Sequence, residues 1–136
     1  MPSLEPRGVL AEINRIWRES APETIAELVA PHFSEDAIVV APSLARVARG
    51  RAEVAASYGD FVRSARLLEI SIDEPEIDTH GDVAVATMPW RMRYEFGERT
   101  STECGFDTYV FRRAGDRWEI CWRSTVSAEE IAGDAG

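Results

Sequence analysis

The stretch "GFDTYVF", residues 105–111, sets one carboxylate inside a run of strand-forming residues. Asp is depleted in strand interiors, and a carboxylate taken out of water is costly unless it is paired or neutralised. Asp107 therefore has two readings. In the first, an apolar setting of Met88, Trp90 and Trp122 raises its pKa toward neutrality, giving a general acid or base, or an anchor for a ligand hydroxyl or amine. In the second, Asp107 is tied to Arg91, Arg123, Tyr58 or Ser124 and holds the sheet together. Glu103 is expected on the same face, about 7 Å along the strand, where two carboxylates could share a proton or divide acid and base roles. The alternative for Glu103 is a solvated rim position. Without histidines beside them, these two residues are not expected to hold a metal.

Aromatic residues supply the other candidates. Trp90, Trp122, Tyr109 and Phe111 could form a cage for a flat or cationic ligand, or plain core. Trp118 is assigned to core. Tyr58 is placed to donate a hydrogen bond into a cavity, or to pack with its hydroxyl outward. Nucleophilic chemistry at Ser124 would need a base, and no histidine is placed to serve. His80 falls in the "THGD" turn, and His32 closes a helix with a structural role expected.

These residues need elements to position them. "VLAEINRIWRES" gathers Val9, Ile13, Ile16 and Trp17 on one helical stripe, and "PETIAELV" does so with Ile25, Leu28 and Val29. A third helix is expected over 51–64, turning Val54, Tyr58, Phe61 and Val62 inward. Strands are expected over 36–41, from Leu68 to about 73, and over 82–96, 99–113 and 117–126. Loops fill 42–50 and 74–81, and 127–136 read as a flexible tail of a single domain spanning 1–136. Helices early and antiparallel strands late give an α+β fold, three helices packed on a strongly curved, mainly antiparallel sheet.

Two turns set the register. A Gly97-Glu98 turn pairs Met92 with Glu103, Trp90 with Gly105 and Met88 with Asp107. A Gly115-Asp116 turn pairs Phe111 with Ile120, Tyr109 with Trp122 and Asp107 with Ser124. One face then collects Met88, Trp90, Met92, Glu103, Asp107, Tyr109, Trp122 and Ser124 toward the helices, with Gly105 making room for Trp90. The opposite face carries Val85, Arg91, Phe106, Val110 and Arg123, half apolar and uncovered, which points to a homodimer joined sheet to sheet. Pro89 is the place where a bulge could shift this pairing.

With 15 Lys+Arg against 24 Asp+Glu, the net charge of -9 argues against nucleic acid and anionic membrane surfaces. No segment has the length of a membrane span and the start lacks a signal-peptide layout, so a cytoplasmic protein is expected. Cys104 and Cys121 match no metal or disulfide pattern.

The strings "FSEDAIVVAP", "RGRAEV" and "YVFRRAGDRWEICWRS", in that order and spacing, resemble the nuclear transport factor 2-like superfamily, which includes ketosteroid isomerase and SnoaL-like proteins. The resemblance implies a cone-shaped barrel with a deep apolar pocket, usually dimeric, and with varied functions. Ketosteroid isomerase carries a base, an oxyanion-binding acid and an oxyanion tyrosine at positions that here hold Ala41, Thr108 and Trp17. That mechanism is therefore not expected. What remains is a small hydrophobic or aromatic ligand, no cofactor, and either proton-transfer chemistry of isomerase, dehydratase or cyclase type with Asp107 as the catalytic residue, or a non-catalytic dimeric binding or interaction module.

Overall fold

The computed structural model describes residues 4–130; the side chains of residues 61, 62 and 128–130 lie outside that description, and with them the expected inward turn of Phe61 and Val62. Three helices, α1 (Pro6–Glu19), α2 (Pro22–Val29) and α3 (Arg51–Ser64), join seven strands: β1 (Phe33–Val40), β2 (Arg46–Arg49), β3 (Arg66–Ile72), β4 (Glu76–His80), β5 (Val83–Phe96), β6 (Arg99–Ala114) and β7 (Arg117–Glu130). Helix α1 begins on Pro6, whose fixed φ and missing N–H suit a first turn, and buries Val9, Leu10, Ile13 and Ile16 at helical spacing. Pro22 does the same for α2, which buries Ile25 and Val29. Leu28, expected inward, is 45% exposed, because so short a helix buries only a narrow stripe.

The strands form one sheet in the order β2-β1-β7-β6-β5-β3, with β4 also paired to β5. Its outermost strands do not pair with each other, so the expected barrel is an open, curved sheet whose concave side is covered by helices. Two expected loops carry strands. Residues 46–49 fold back on β1 as β2, and 76–80 pair with Val83–Thr87 as β4. Strand β7 also runs on to Glu130, through part of the expected tail, while 131–136 lie outside the described residues.

Pro89 bends no ladder. It pairs opposite Phe106 in an unbroken register, at the point on β5 where the neighbour on the other side changes from β4, opposite Thr87, to β3, opposite Trp90. A residue without an N–H is tolerated there because no strand asks for one. Gly105 also has a different reason from the expected one. A Cβ on it would sit 2.0 Å from the Val126 carbonyl oxygen on β7, so the close approach of backbone, not the bulk of Trp90, demands glycine.

The β5–β6 register agrees with the turn-based reading from Val83 opposite Arg112 to Phe96 opposite Arg99. The β6–β7 register agrees as far as Phe111 opposite Ile120 and then slips by one, so Val110 meets Trp122, Tyr109 meets Arg123 and Asp107 meets Thr125. The extra residue is Cys121, whose thiol donates to the Val110 carbonyl at 3.5 Å. Beyond this bulge every β7 side chain changes face.

Strand β1 is tied to β6 by Arg112, which donates from Nη2 to Asp36 Oδ1 at 2.9 Å and from Nη1 to Oδ2 at 3.4 Å, while Ser34 donates to Oδ1 at 2.7 Å. The Arg112 bond, and after it the Ser34 bond, lower the Asp36 pKa from 3.8 to about 2. A depressed carboxylate stabilises the fold above its unfolded pKa and loses that contribution as pH falls toward the folded one. We expect acid titration monitored by circular dichroism to show this loss between pH 3.8 and about 2, and Asp36→Asn to flatten that part of the curve and to be less stable than the native chain at pH 7, where the contribution is fully present.

Candidate functional site

Above the mixed core, the concave face of the sheet encloses a cavity of about 420 Å³. Strands β3 and β5 supply its apolar wall, with Ile70, Ile72, Met88, Trp90, Met92 and Tyr94. Helix α1 supplies Asn14 and Trp17, and α3 supplies Ser57 and Tyr58. Strand β6 gives Glu103, Asp107 and Tyr109, while β7 gives Arg123, Thr125 and Ser127. The alternation of β5 is why its even-numbered residues share this wall, and Ile70 and Ile72 continue it because they pair with Met92 and Trp90.

At its floor lies Asp107, only 4% exposed. Trp90 Nε1 and Thr125 Oγ1 donate to its Oδ1 at 3.0 and 2.9 Å, and Tyr109 Oη and Arg123 Nη2 donate to its Oδ2 at 3.0 and 3.1 Å. An ionised carboxylate offers about four acceptor positions. All are taken. The arginine is one of the partners offered by the second reading of Asp107, and the apolar, unpaired environment of the first reading is replaced by a hydrogen-bonded ion pair.

Arg123 is itself held by aromatic faces. Its Cζ lies 4.8 Å from the Tyr58 ring centroid and 5.6 Å from that of Tyr109, within reach of attraction between a cation and the ring quadrupole. Tyr58 in turn packs against Phe33, ring centroids 5.8 Å apart. Burial raises the pKa of both Tyr58 and Tyr109, so both hydroxyls stay protonated donors. Tyr109 donates its proton to Asp107; among the described residues Tyr58 Oη and Arg123 Nε are buried without a hydrogen bond of good geometry, Tyr109 being the polar neighbour that the Tyr58 hydroxyl meets.

Of the residues singled out in the sequence, Tyr58, Met88, Trp90, Met92, Glu103, Asp107 and Tyr109 stand together around the cavity. Trp122 and Ser124 do not. The Cys121 bulge turns both to the outer face and brings Arg123 and Thr125 in, so Arg123 also leaves the expected dimer surface. Charge balance was the available signal: the in-phase register left Asp107 opposite a serine with an arginine one position away. Tyr94 and Ile72 extended alternations already visible, whereas Asn14 and Ser57 gave no sign.

Glu103 accepts from Tyr94 Oη at 2.8 Å. It is two same-face steps from Asp107, and four strand residues span about 13 Å rather than 7 Å, so the two carboxylates cannot share a proton. His80 is exposed at the end of β4. His32 stands apart from the cavity, where burial lowers its pKa against the opposing influence of Glu12. Cys104 and Cys121 are free thiols, and Trp118 is buried in the core.

Comparison with known proteins is consistent with this geometry. The SnoaL-like domain model matches residues 10–125. The chain belongs to the SnoaL-like family. No curated protein sequence matches it. Among solved structures, this SnoaL-like chain is similar to an NTF2-like protein from Cytophaga hutchinsonii, at 15% identity and a TM-score of 0.65 over 92% of this chain and 100% of that one. It is similar to a ketosteroid isomerase-like protein from Erwinia carotovora atroseptica, at 14% identity and a TM-score of 0.67 over 89% and 95%. A putative calcium/calmodulin-dependent protein kinase type II association domain from Thiobacillus denitrificans gives 16% identity and a TM-score of 0.66 over 92% and 96%. At these identities the likeness carries the NTF2-like fold, a cone-shaped α+β architecture, and nothing about substrate. Among the described residues, no helix is long and apolar enough to cross a membrane.

The paired charges make a sharp expectation for stability. Asp107→Asn leaves Arg123 buried without its counter-charge and should cost about 3–5 kcal/mol in urea unfolding. The double variant Asp107→Asn/Arg123→Met should recover part of that loss, since it removes the uncompensated charge and keeps an amide oxygen for the Trp90, Tyr109 and Thr125 donors.

Proposed function

We propose that this SnoaL-like chain is a cytoplasmic small-molecule-binding protein that takes one flat hydrophobic or aromatic compound in the cavity, with Asp107 acting as a fixed anchor of the floor. The observation that carries this reading is the filled carboxylate. Four donors occupy Asp107, so it is a poor candidate to accept a substrate proton, yet the cavity beside it stays open and walled by Met88, Trp90, Met92 and Ile72. A rigid polar floor under an apolar wall is the usual build of a binding pocket. The buried ion pair fixes the rings of Trp90 and Tyr109, which line it. Isomerase, dehydratase or cyclase chemistry would need a different base from Asp107.

Ligand binding to the folded state raises stability by mass action, by about 2.7 kcal/mol at a hundredfold excess over Kd. A thermal-shift screen of small aromatic compounds should find ones that raise the melting temperature of the native chain. Ile70→Trp, which fills the cavity from its partly exposed edge, should fold and abolish those shifts. Shifts that persist in Ile70→Trp would place binding elsewhere, and a screen with no shifts would remove the proposal.

The second element of the proposal is a homodimer through the outer sheet face. The bulge adds Trp122 to Val85 and Val110 there, beside exposed Phe106 and Val126, while the helices occupy the other side. The family's fold often forms dimers, and a second copy matches the two-fold habit of soluble oligomers. Sedimentation at micromolar concentration should show a dimer that Phe106→Glu dissociates. A monomeric native chain would end this part of the proposal.

A further inference from the structure

Asp107 and Arg123, paired at 3.1 Å, cancel each other's charge, which leaves one charged group in the cavity lining without a counter-charge. That group is Glu103. Its half-buried side chain lines the cavity about 13 Å along β6 from Asp107, and its Oε1 accepts from Tyr94 Oη at 2.8 Å. Among the described residues Oε2 accepts no bond, and it is not one of the polar atoms sealed from solvent, so it is open to a guest. Met92 stands directly opposite Glu103 on β5, which makes Trp90 and Tyr94 its diagonal neighbours on the same face, within reach of long side chains. Trp90 already gives its only N–H to Asp107, so toward the cavity it offers ring surface and no donor. A carboxylate bordered by aromatic rings suits a cation, since it supplies a charge-assisted bond and the rings add the attraction of their faces.

We propose that the ligand of this cavity carries a protonated amine, held by the Glu103 carboxylate beside the Trp90 and Tyr94 rings, with its apolar body running inward along Ile70, Ile72 and Met88. This rests on the pocket reading above and adds the ligand's charge and orientation. The floor has no equivalent place for a cation, because the acceptor positions of Asp107 are filled and Arg123 stands beside them with like charge. A hydroxyl can also donate to Glu103, but an ammonium balances its charge as well and draws on the ring faces. The chain's net charge of -9 acts in the same direction, spread over the whole surface. Separating Glu103 from that background takes a charge-matched control.

The test uses three probes with one body, 3-phenylpropylamine, 3-phenylpropan-1-ol and 3-phenylpropionate, titrated calorimetrically into the full chain at neutral pH. The amine should bind about tenfold tighter than the alcohol, the size expected of a cation between a carboxylate and ring faces in a partly desolvated site. The carboxylate probe should bind most weakly. Glu103→Gln should remove most of the amine's advantage over the alcohol, and it should fold, because the position is half-buried and the amide oxygen still accepts from Tyr94. Glu98→Gln, at the exposed turn between β5 and β6, changes the net charge by the same amount and should leave the amine's affinity as it was. Equal binding of amine and alcohol, an amine advantage that survives Glu103→Gln, or an equal loss in Glu98→Gln would overturn the inference, while binding lost in Ile70→Trp keeps the pocket reading. No binding by any probe would overturn both.

Discussion

A carboxylate inside a folded chain must be surrounded by donors before it can be ionised there, and Asp107 draws its four from three adjacent strands. Trp90 comes from β5, Tyr109 from its own strand, and Arg123 and Thr125 from β7. Each of these bonds fixes a register as well as a side chain. Trp90 reaches Asp107 only if Met88 stands opposite it, and Arg123 reaches only if β7 has changed phase. The Cys121 bulge is therefore part of the same constraint as the charge pair. So is the stacking of Arg123 on Tyr58 and Tyr109, because a guanidinium away from water is stabilised by ring faces when carboxylate alone cannot surround it.

That arrangement also shapes the cavity. The polar cluster is rigid because its members are mutually bonded, whereas the wall opposite is built of Met and Ile side chains that present no hydrogen-bonding demand beyond the contact of Asn14 with the Met88 sulfur.

Much of this was legible in the sequence because it depends on short-range rules. Proline at the first turn with helical spacing placed α2, helical spacing placed α3, and the Gly97 turn gave the β5–β6 register that sets Met88 beside Asp107. Features that depend on pairing between distant segments were not legible. Nothing local marks 46–49 or 76–80 as strands, since they exist by bonding to β1 and β5. Openness of the sheet is likewise a property of its outer strands. The bulge was hidden by Trp122, whose apolar character continued the alternation of Trp118 and Ile120, so hydrophobic periodicity favoured the wrong phase while the buried charge favoured the right one. Gly105 was read correctly as a close approach but assigned to the wrong neighbour, a backbone carbonyl being invisible to side-chain reasoning.

The change of phase at Cys121 divides β7 into two stretches of opposite parity. Before it, even-numbered positions such as Trp118 and Ile120 answer to the core; after it, odd-numbered positions such as Arg123 and Thr125 answer to the pocket. Inheritance acts on these stretches separately. One inserted or deleted codon near this point would exchange interior for exterior along the whole distal half of the strand, and so would withdraw Arg123 and Thr125 from Asp107 and require the buried carboxylate to change with them. Relatives that differ by a single gap here would thus share a scaffold while presenting different pockets, and comparing them column by column would align residues that never occupy the same side.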